Sequence, residues 1–169
     1  MILGSWSSMR KYLEQEMIAS SLHGRVRYNC TYYDGMDGWG LFEIYIDDKM
    51  IKRFSLDTVN SFFIKNGYKE NTDHYGLEEY WKDFWKTFDT IPLTSRTEYT
   101  DREFSEALEH YRNQSIKESI TSENPIERMF AVMDRRIGKR RLLSIKAELN
   151  NQPDWLQDFY RLRIEAEKI

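Results

Sequence analysis

Arg25-Val26-Arg27-Tyr28-Asn29-Cys30-Thr31-Tyr32-Tyr33 decides the fold, because here the sequence begins to alternate with a period of two. Val26, Tyr28, Cys30 and Tyr32 fall on one side, and Arg25, Arg27, Asn29, Thr31 and Tyr33 on the other. A strand with one wet face alternates in this way, since successive side chains leave opposite faces of the pleat. Asp34-Gly35-Met36-Asp37-Gly38 follows as a turn, because glycine and aspartate tolerate the positive φ of tight reversals. Leu41 to Ile46 reads as a second strand, and Asp47-Asp48-Lys49 turns it into a third, Met50 to Phe54. The three make an antiparallel meander, with Lys49, Lys52 and Arg53 on the third strand discouraging pairing at the open edge.

On either side the period becomes helical. Upstream, Trp6-Ser7-Ser8 reads as a staple and cap, and Met9, Tyr12, Leu13 and Met17 recur on one helical face up to Ser20-Ser21. Downstream, Ser55 caps a helix carrying Leu56, Val59, Phe62 and Phe63, closed by Asn66-Gly67. Leu77, Trp81, Phe84, Trp85 and Phe88 form an aromatic stripe that ends at Ile91-Pro92. Thr100-Asp101-Arg102-Glu103 is a capping box opening a helix with Phe104, Leu108 and Tyr111 inward. Asn124-Pro125-Ile126-Glu127 repeats that grammar, and Ile126, Met129, Phe130, Met133 and Ile137 make the next apolar face. Leu142, Ile145 and Leu149 continue inward to Asn150-Asn151-Gln152. Pro153 then begins a last helix with Trp155, Leu156, Phe159 and Leu162 toward the core. The expected fold is α+β: an N-terminal helix and a three-stranded antiparallel meander (1–56), then five or six helices (57–169), in one domain.

Composition supports a folded protein. Charged residues make up 31% of the 169, apolar residues 40% and aromatic residues 15%, which is too many rings for a disordered chain. A chain of this length buries roughly two-thirds of its unfolded surface. One cysteine, Cys30, excludes an internal disulfide and points to a reducing compartment. Met1 to Trp6 is too short for a signal sequence, and no apolar run approaches the roughly 20 residues that span a bilayer. The formal net charge is −3, but it is unevenly spread. Residues 57–124 carry eight cations against fourteen anions, and 125–169 ten against seven, so the basic end is expected to dock on the acidic middle.

The richest candidate for function is Asp134-Arg135-Arg136-Ile137-Gly138-Lys139-Arg140-Arg141. If Gly138 breaks the helix, Arg135, Arg136, Lys139, Arg140 and Arg141 become a candidate binding site for an anion or nucleic acid. The competing expectation is internal pairing, since Arg128, Asp134 and Glu148 sit nearby and can pair within the helix at i+4-like spacing. Trp81 and Trp85, one turn apart, are a candidate aromatic groove, though such stripes usually face a core. The outer strand face, Arg25 to Tyr33, is a polar row that a sheet shows to water in any case.

Catalytic and metal signals are poor. His23, His74 and His110 lie apart with no HxxxH, HxH or CxxC spacing, so no metal ligand, catalytic residue or cofactor is assigned. GxSxG, GxxxxGK[ST] and GxGxxG do not occur. Asp73-His74 and Tyr75 mark the place where a cleft would make an enzyme of unknown class.

Two segments carry a resemblance. Trp6-Ser7-Ser8-Met9-Arg10-Lys11-Tyr12-Leu13-Glu14 with Leu22-His23-Gly24-Arg25-Val26-Arg27-Tyr28 makes up the first. The second is the basic run with Gln152-Pro153-Asp154-Trp155-Leu156-Gln157 and Phe159-Tyr160-Arg161-Leu162-Arg163. Together they resemble a family of uncharacterised bacterial cytoplasmic proteins over about half the residues. The resemblance implies a bacterial origin and a cytoplasmic location, and it transfers no binding or catalytic residue. The functional expectation is a non-enzymatic module that binds a protein partner or a second copy of itself. Nucleic-acid or phosphate binding through 135–141 is the alternative, and no membrane partner is expected.

Overall fold

The computed structural model describes residues 5–32, 40–68 and 78–169. The chain opens with α1 (Trp6–Lys11), which widens into a π-helical turn at Tyr12–Glu16. Its N-cap is Ser5, whose Oγ accepts the Ser8 amide at 3.3 Å, so Trp6 lies inside the helix and not before it. A short 3₁₀ turn at Ser20–Leu22 leads into the sheet.

The meander is present, with β1 (Val26–Tyr32), β2 (Gly40–Ile46) and β3 (Lys49–Ser55) in the order β1-β2-β3, both pairs antiparallel. The expected turn at 34–38 lies outside the described residues. Asp47 and Asp48 both have positive φ (48° and 66°), which is what a two-residue hairpin following the strand twist requires. Alternation sets the register. Val26, Tyr28, Phe42, Ile44 and Phe54 are buried on one face, with Cys30 opposite Phe42 and Phe42 opposite Phe54. A bulge between Ile44 and Tyr45 shifts the β2–β3 pairing.

One expectation for β3 fails. Lys52 does not guard the edge in solvent; it points inward at 6% exposure, over the rings of Phe54, Tyr99 and Trp155 at 5.4–6.0 Å. Its Nζ donates to the Thr97 carbonyl and pairs with Glu98 at 3.2 Å. The segment 97–99 thereby covers this edge, and the Ser55 amide donates to the Tyr99 carbonyl at 3.1 Å.

Helices cover the inner face: α2 (Leu56–Lys65), α3 (Glu78–Phe88), α4 (Asp101–Asn113), α5 (Ile116–Thr121), α6 (Pro125–Met133), α7 (Lys139–Ser144), α8 (Lys146–Leu149) and α9 (Asp154–Glu167). Phe104 of α4 stacks on Phe42 at 4.4 Å and meets Phe54 at 4.9 Å, which fixes α4 across the sheet. Behind α4 lies α6, buried at Ile126, Met129, Phe130, Ala131, Val132 and Met133. A helix apolar all round belongs at the centre, and α4, α5 and α9 all pack against α6. A second, smaller cluster joins Leu56, Val59 and Phe63 of α2 to Phe84 and Phe88 of α3.

Candidate functional site

The basic run begins where α6 stops. Met133 is the last helical residue, four short of Ile137, and Asp134 is extended (φ −67°, ψ 134°). That exit is enforced from outside the run. Asp134 pairs with Ile18 as an isolated antiparallel bridge, the Ala19 amide donates to the Met133 carbonyl, and the Arg135 amide to the Met17 carbonyl, both at 2.9 Å. The Asp134 carboxylate is fully buried. It accepts the Tyr111 hydroxyl, the Arg136 amide at 2.7 Å and the Arg136 Nη2 at 2.7 Å. Burial, followed by the nearby Asp134 charge, pushes the Tyr111 hydroxyl far above its ordinary range.

From below, Arg163 of α9 inserts a guanidinium that is 3% exposed. It donates to the carbonyls of Val132 (3.2 Å), Asp134 (2.9 Å) and Ile137 (2.8 Å), and pairs with Glu167 at 3.0 Å. The orphan carbonyls at the end of α6 are thus capped by a side chain from another helix. Arg136 is spent on Asp134, and Arg128 on Glu148 and the Ser122 and Thr121 carbonyls.

Beyond Ile137 the picture reverses. Gly138 does break the helix, as the N-cap of α7 with no side-chain cap. Arg135, Lys139, Arg140 and Arg141 are exposed, and none forms an ion pair among the described residues. Leu142, Ile145 and Leu149 anchor α7 and α8 to the core, while Leu143 is 54% exposed. Leu143 lies one helical turn after Lys139 and Arg140, and Lys146 one turn further on. Among the described residues the expected docking of this basic end on the acidic middle is not seen as ion pairing. Arg128, Arg136, Arg161 and Arg163 pair with Glu148, Asp134, Asp158 and Glu167, all within 125–169.

The other candidates separate as well. Trp81 is partly buried against the α2–α3 cluster, whereas Trp85 is 38% exposed and flanks a hollow with Phe88, Asp89 and Arg102. The outer sheet face is laced by ion pairs: Arg25–Asp47 at 2.7 Å, Arg27–Asp48 at 2.9 Å and Arg53–Glu43 at 2.6 Å. Tyr33, His74 and Tyr75 lie outside the described residues. Burial pushes the Cys30 thiol up to about 11, which suppresses the reactive thiolate.

Sequence reading missed one pair. His110 Nδ1 donates to Glu127 Oε1 at 2.7 Å across 17 residues, and Gln114 Nε2 donates to Glu127 Oε2 at 2.8 Å. Glu127 occupies the third position of α6, where a cap was expected. Asn124 Oδ1 does take the Ile126 amide at 2.9 Å and Pro125 starts the helix, but Glu127 turns inward to α4. The pair lines a groove of about 530 Å³ between α4, α6 and residues 88–96. Among the described residues no three or more His, Cys, Asp or Glu side chains are grouped to hold a metal ion, and no helix is long and apolar enough to cross a membrane.

The model of the SF0329 protein family matches residues 5–164, including the middle of the chain where the sequence motifs offered no likeness. No curated protein and no solved structure matches.

Proposed function

This chain belongs to the SF0329 protein family, and we propose that it works by docking a protein with an acidic surface on the cationic face of α7 and α8. The observation that carries this reading is that Arg135, Lys139, Arg140 and Arg141 stand exposed without ion pairs among the described residues, while the neighbouring Arg128, Arg136 and Arg163 are all engaged internally. Like charges close together repel, so Lys139, Arg140 and Arg141 on one short helix carry an electrostatic cost that an acidic partner relieves. Leu143 gives the face an apolar centre within a charged rim, the usual anatomy of a protein interface.

A phosphate backbone would use the cations but gains nothing from an exposed leucine, and a net charge of −3 gives it no wider attraction. A second copy of this chain is a poor occupant, because a two-fold interface sets the same cations against one another.

The test places a photo-crosslinking residue at Leu143, recovers the adduct from native cells, and titrates the purified partner with wild type and with the Arg140→Glu, Arg141→Glu double variant. A tenfold or greater loss on charge reversal, with wild-type binding that weakens as salt rises, supports docking. Adducts to nucleic acid, or affinity indifferent to the reversal, overturn it.

A further inference from the structure

The His110–Glu127 pair has the geometry of a base and the group that orients it. Glu127 is buried, its side chain 6% exposed, and both its oxygens are taken, one by Gln114 and one by His110. The imidazole is 66% exposed. A buried carboxylate bound to Nδ1 selects the tautomer with the proton there, which leaves Nε2 as the acceptor. Across the groove Phe88, Ile91 and Leu93 supply apolar surface, with the Arg96 guanidinium over the Phe88 ring at 4.0 Å and Ala107 of α4 beside them. The volume of about 530 Å³ falls within the range of small-molecule sites.

The charges around the groove restrict the substrate. Asp89, Glu103, Glu106 and Glu127 line it, and its one lining arginine, Arg96, is bound to Glu103. Glu106 pairs with Arg102 at 2.7 Å on its outer side. Carboxylates and phosphates are therefore disfavoured, and an uncharged molecule with an apolar body is accommodated. Asn124, with Oδ1 held by the Ile126 amide, has its Nδ2 without a partner among the described residues, a donor on the same wall.

We propose that this groove is a hydrolytic site for small uncharged carboxylic esters, with His110 as the general base and Glu127 as its positioning residue. Nε2 of His110 takes a proton from water as the water oxygen bonds to the ester carbonyl carbon. Asn124 Nδ2 donates toward the carbonyl oxygen as charge develops on it. The bond from carbon to the alkoxy oxygen then breaks, and the imidazolium returns the proton to the departing alcohol. The acid product ionises to solvent, and the surrounding carboxylates repel it from the groove.

The full chain is assayed with p-nitrophenyl esters of increasing acyl length, following release of p-nitrophenolate. Expected are saturable turnover, a fall in kcat of about 100-fold or more in His110→Asn, as loss of a general base produces, and restoration of turnover in His110→Ala by added imidazole. Glu127→Gln lowers kcat at unchanged KM, a split that a merely structural role does not produce. Because His110 is largely exposed, its variants keep the fold, and they decide the matter should Glu127→Gln be unstable. Turnover linear in ester concentration, or equal in wild type and His110→Asn, overturns the site. Ester turnover and crosslinking at Leu143 are read independently, so the groove and the docking face stand or fall separately.

Discussion

Asp134, Arg136 and Ile137 are near neighbours of residues 139–141 in one basic run, yet the first three are tied to the interior by named contacts while 139–141, like Arg135, stand in solvent. In the first, Asp134 is buried and meets Tyr111 and Arg136, and the carbonyls of Asp134 and Ile137 rest on Arg163. In the second, Lys139, Arg140 and Arg141 rise from a short helix tied to the core by Leu142 and Ile145 and by the Tyr160 hydroxyl on the Leu142 carbonyl. The difference teaches that charge density along a sequence does not locate a binding face. What matters is which cations find a carboxylate or a carbonyl once the chain has folded, and here the interior half acts as a joint between α6, α9 and the 17–19 segment.

The largest effect is expected from breaking the interior half. Asp134→Ala removes the acceptor for Tyr111 and for the Arg136 amide and guanidinium, and leaves the buried Tyr111 hydroxyl without its partner, while the half-exposed guanidinium can turn to water. Leaving a buried donor unsatisfied costs about 1–3 kcal/mol. The denaturation midpoint in urea should fall accordingly, with the m-value unchanged if the fold is kept. A loss below 1 kcal/mol would place the joint's strength elsewhere, with Arg163 the first alternative.

This joint also marks how far the sequence could be read. Alternation over 25–54 exposed the whole sheet, because strand pairing here is between sequence neighbours and the wet and dry faces are distinct. The capping box at Thr100 and Glu103 forms as expected, and an identical box at Ser115 and Glu118 opens α5, which periodicity alone did not reveal in six residues. The end of α6 was misplaced because Ile137 keeps helical spacing after Met133. What ends the helix is Arg163, 29 residues beyond Asp134, and Ile18 far upstream. Lys52 and Glu127 were misjudged for the same reason. A charged residue is expected in water until an aromatic box or a facing imidazole, both nonlocal, brings it inside.

The outer sheet face offers an intermediate case, exposed but paired, and pH separates it from the unpaired face. Burial opposes ionisation of Glu43, but hydrogen bonds from Asn29, Arg53 and Tyr45 outweigh it and hold the carboxyl below the ordinary carboxylate range. A folded pKa below the unfolded one contributes stability above the unfolded value, and that stability is lost as pH falls through the folded one. Wild type should therefore exceed Glu43→Gln in stability near neutrality, with the gap closing as pH falls through and below the ordinary carboxylate range. A gap constant across that range would assign the benefit to hydrogen-bond geometry and not to charge.

The exposed half should respond to charge reversal without a structural penalty. Arg140→Glu with Arg141→Glu removes no contact to the core, so its unfolding free energy should stay within about 0.5 kcal/mol of wild type, as for surface changes generally. Relief of repulsion from Lys139 and Lys146 favours a slight gain at low salt that fades as salt screens it. A larger loss would mean that these guanidiniums hold the fold, and the contrast between the two halves would collapse.

The smallest effect concerns the glycine that divides them. Gly138 has φ −83° and ψ 168°, open to any residue, and a Cβ there meets nothing within 4 Å. Glycine is thus not demanded by backbone strain, and α7 begins without a side-chain cap. Serine at this position can accept the free amides of the first turn, and exchange of glycine for serine at an N-cap is worth only a few tenths of a kcal/mol. Gly138→Ser should raise the thermal midpoint slightly. Because it stiffens the start of α7 without touching Lys139, Arg140 or Arg141, partner affinity should hold or improve. A marked loss of stability would show that the joint needs the freedom of glycine here, and that the boundary between the built-in and the free cations lies later in the run than Ile137.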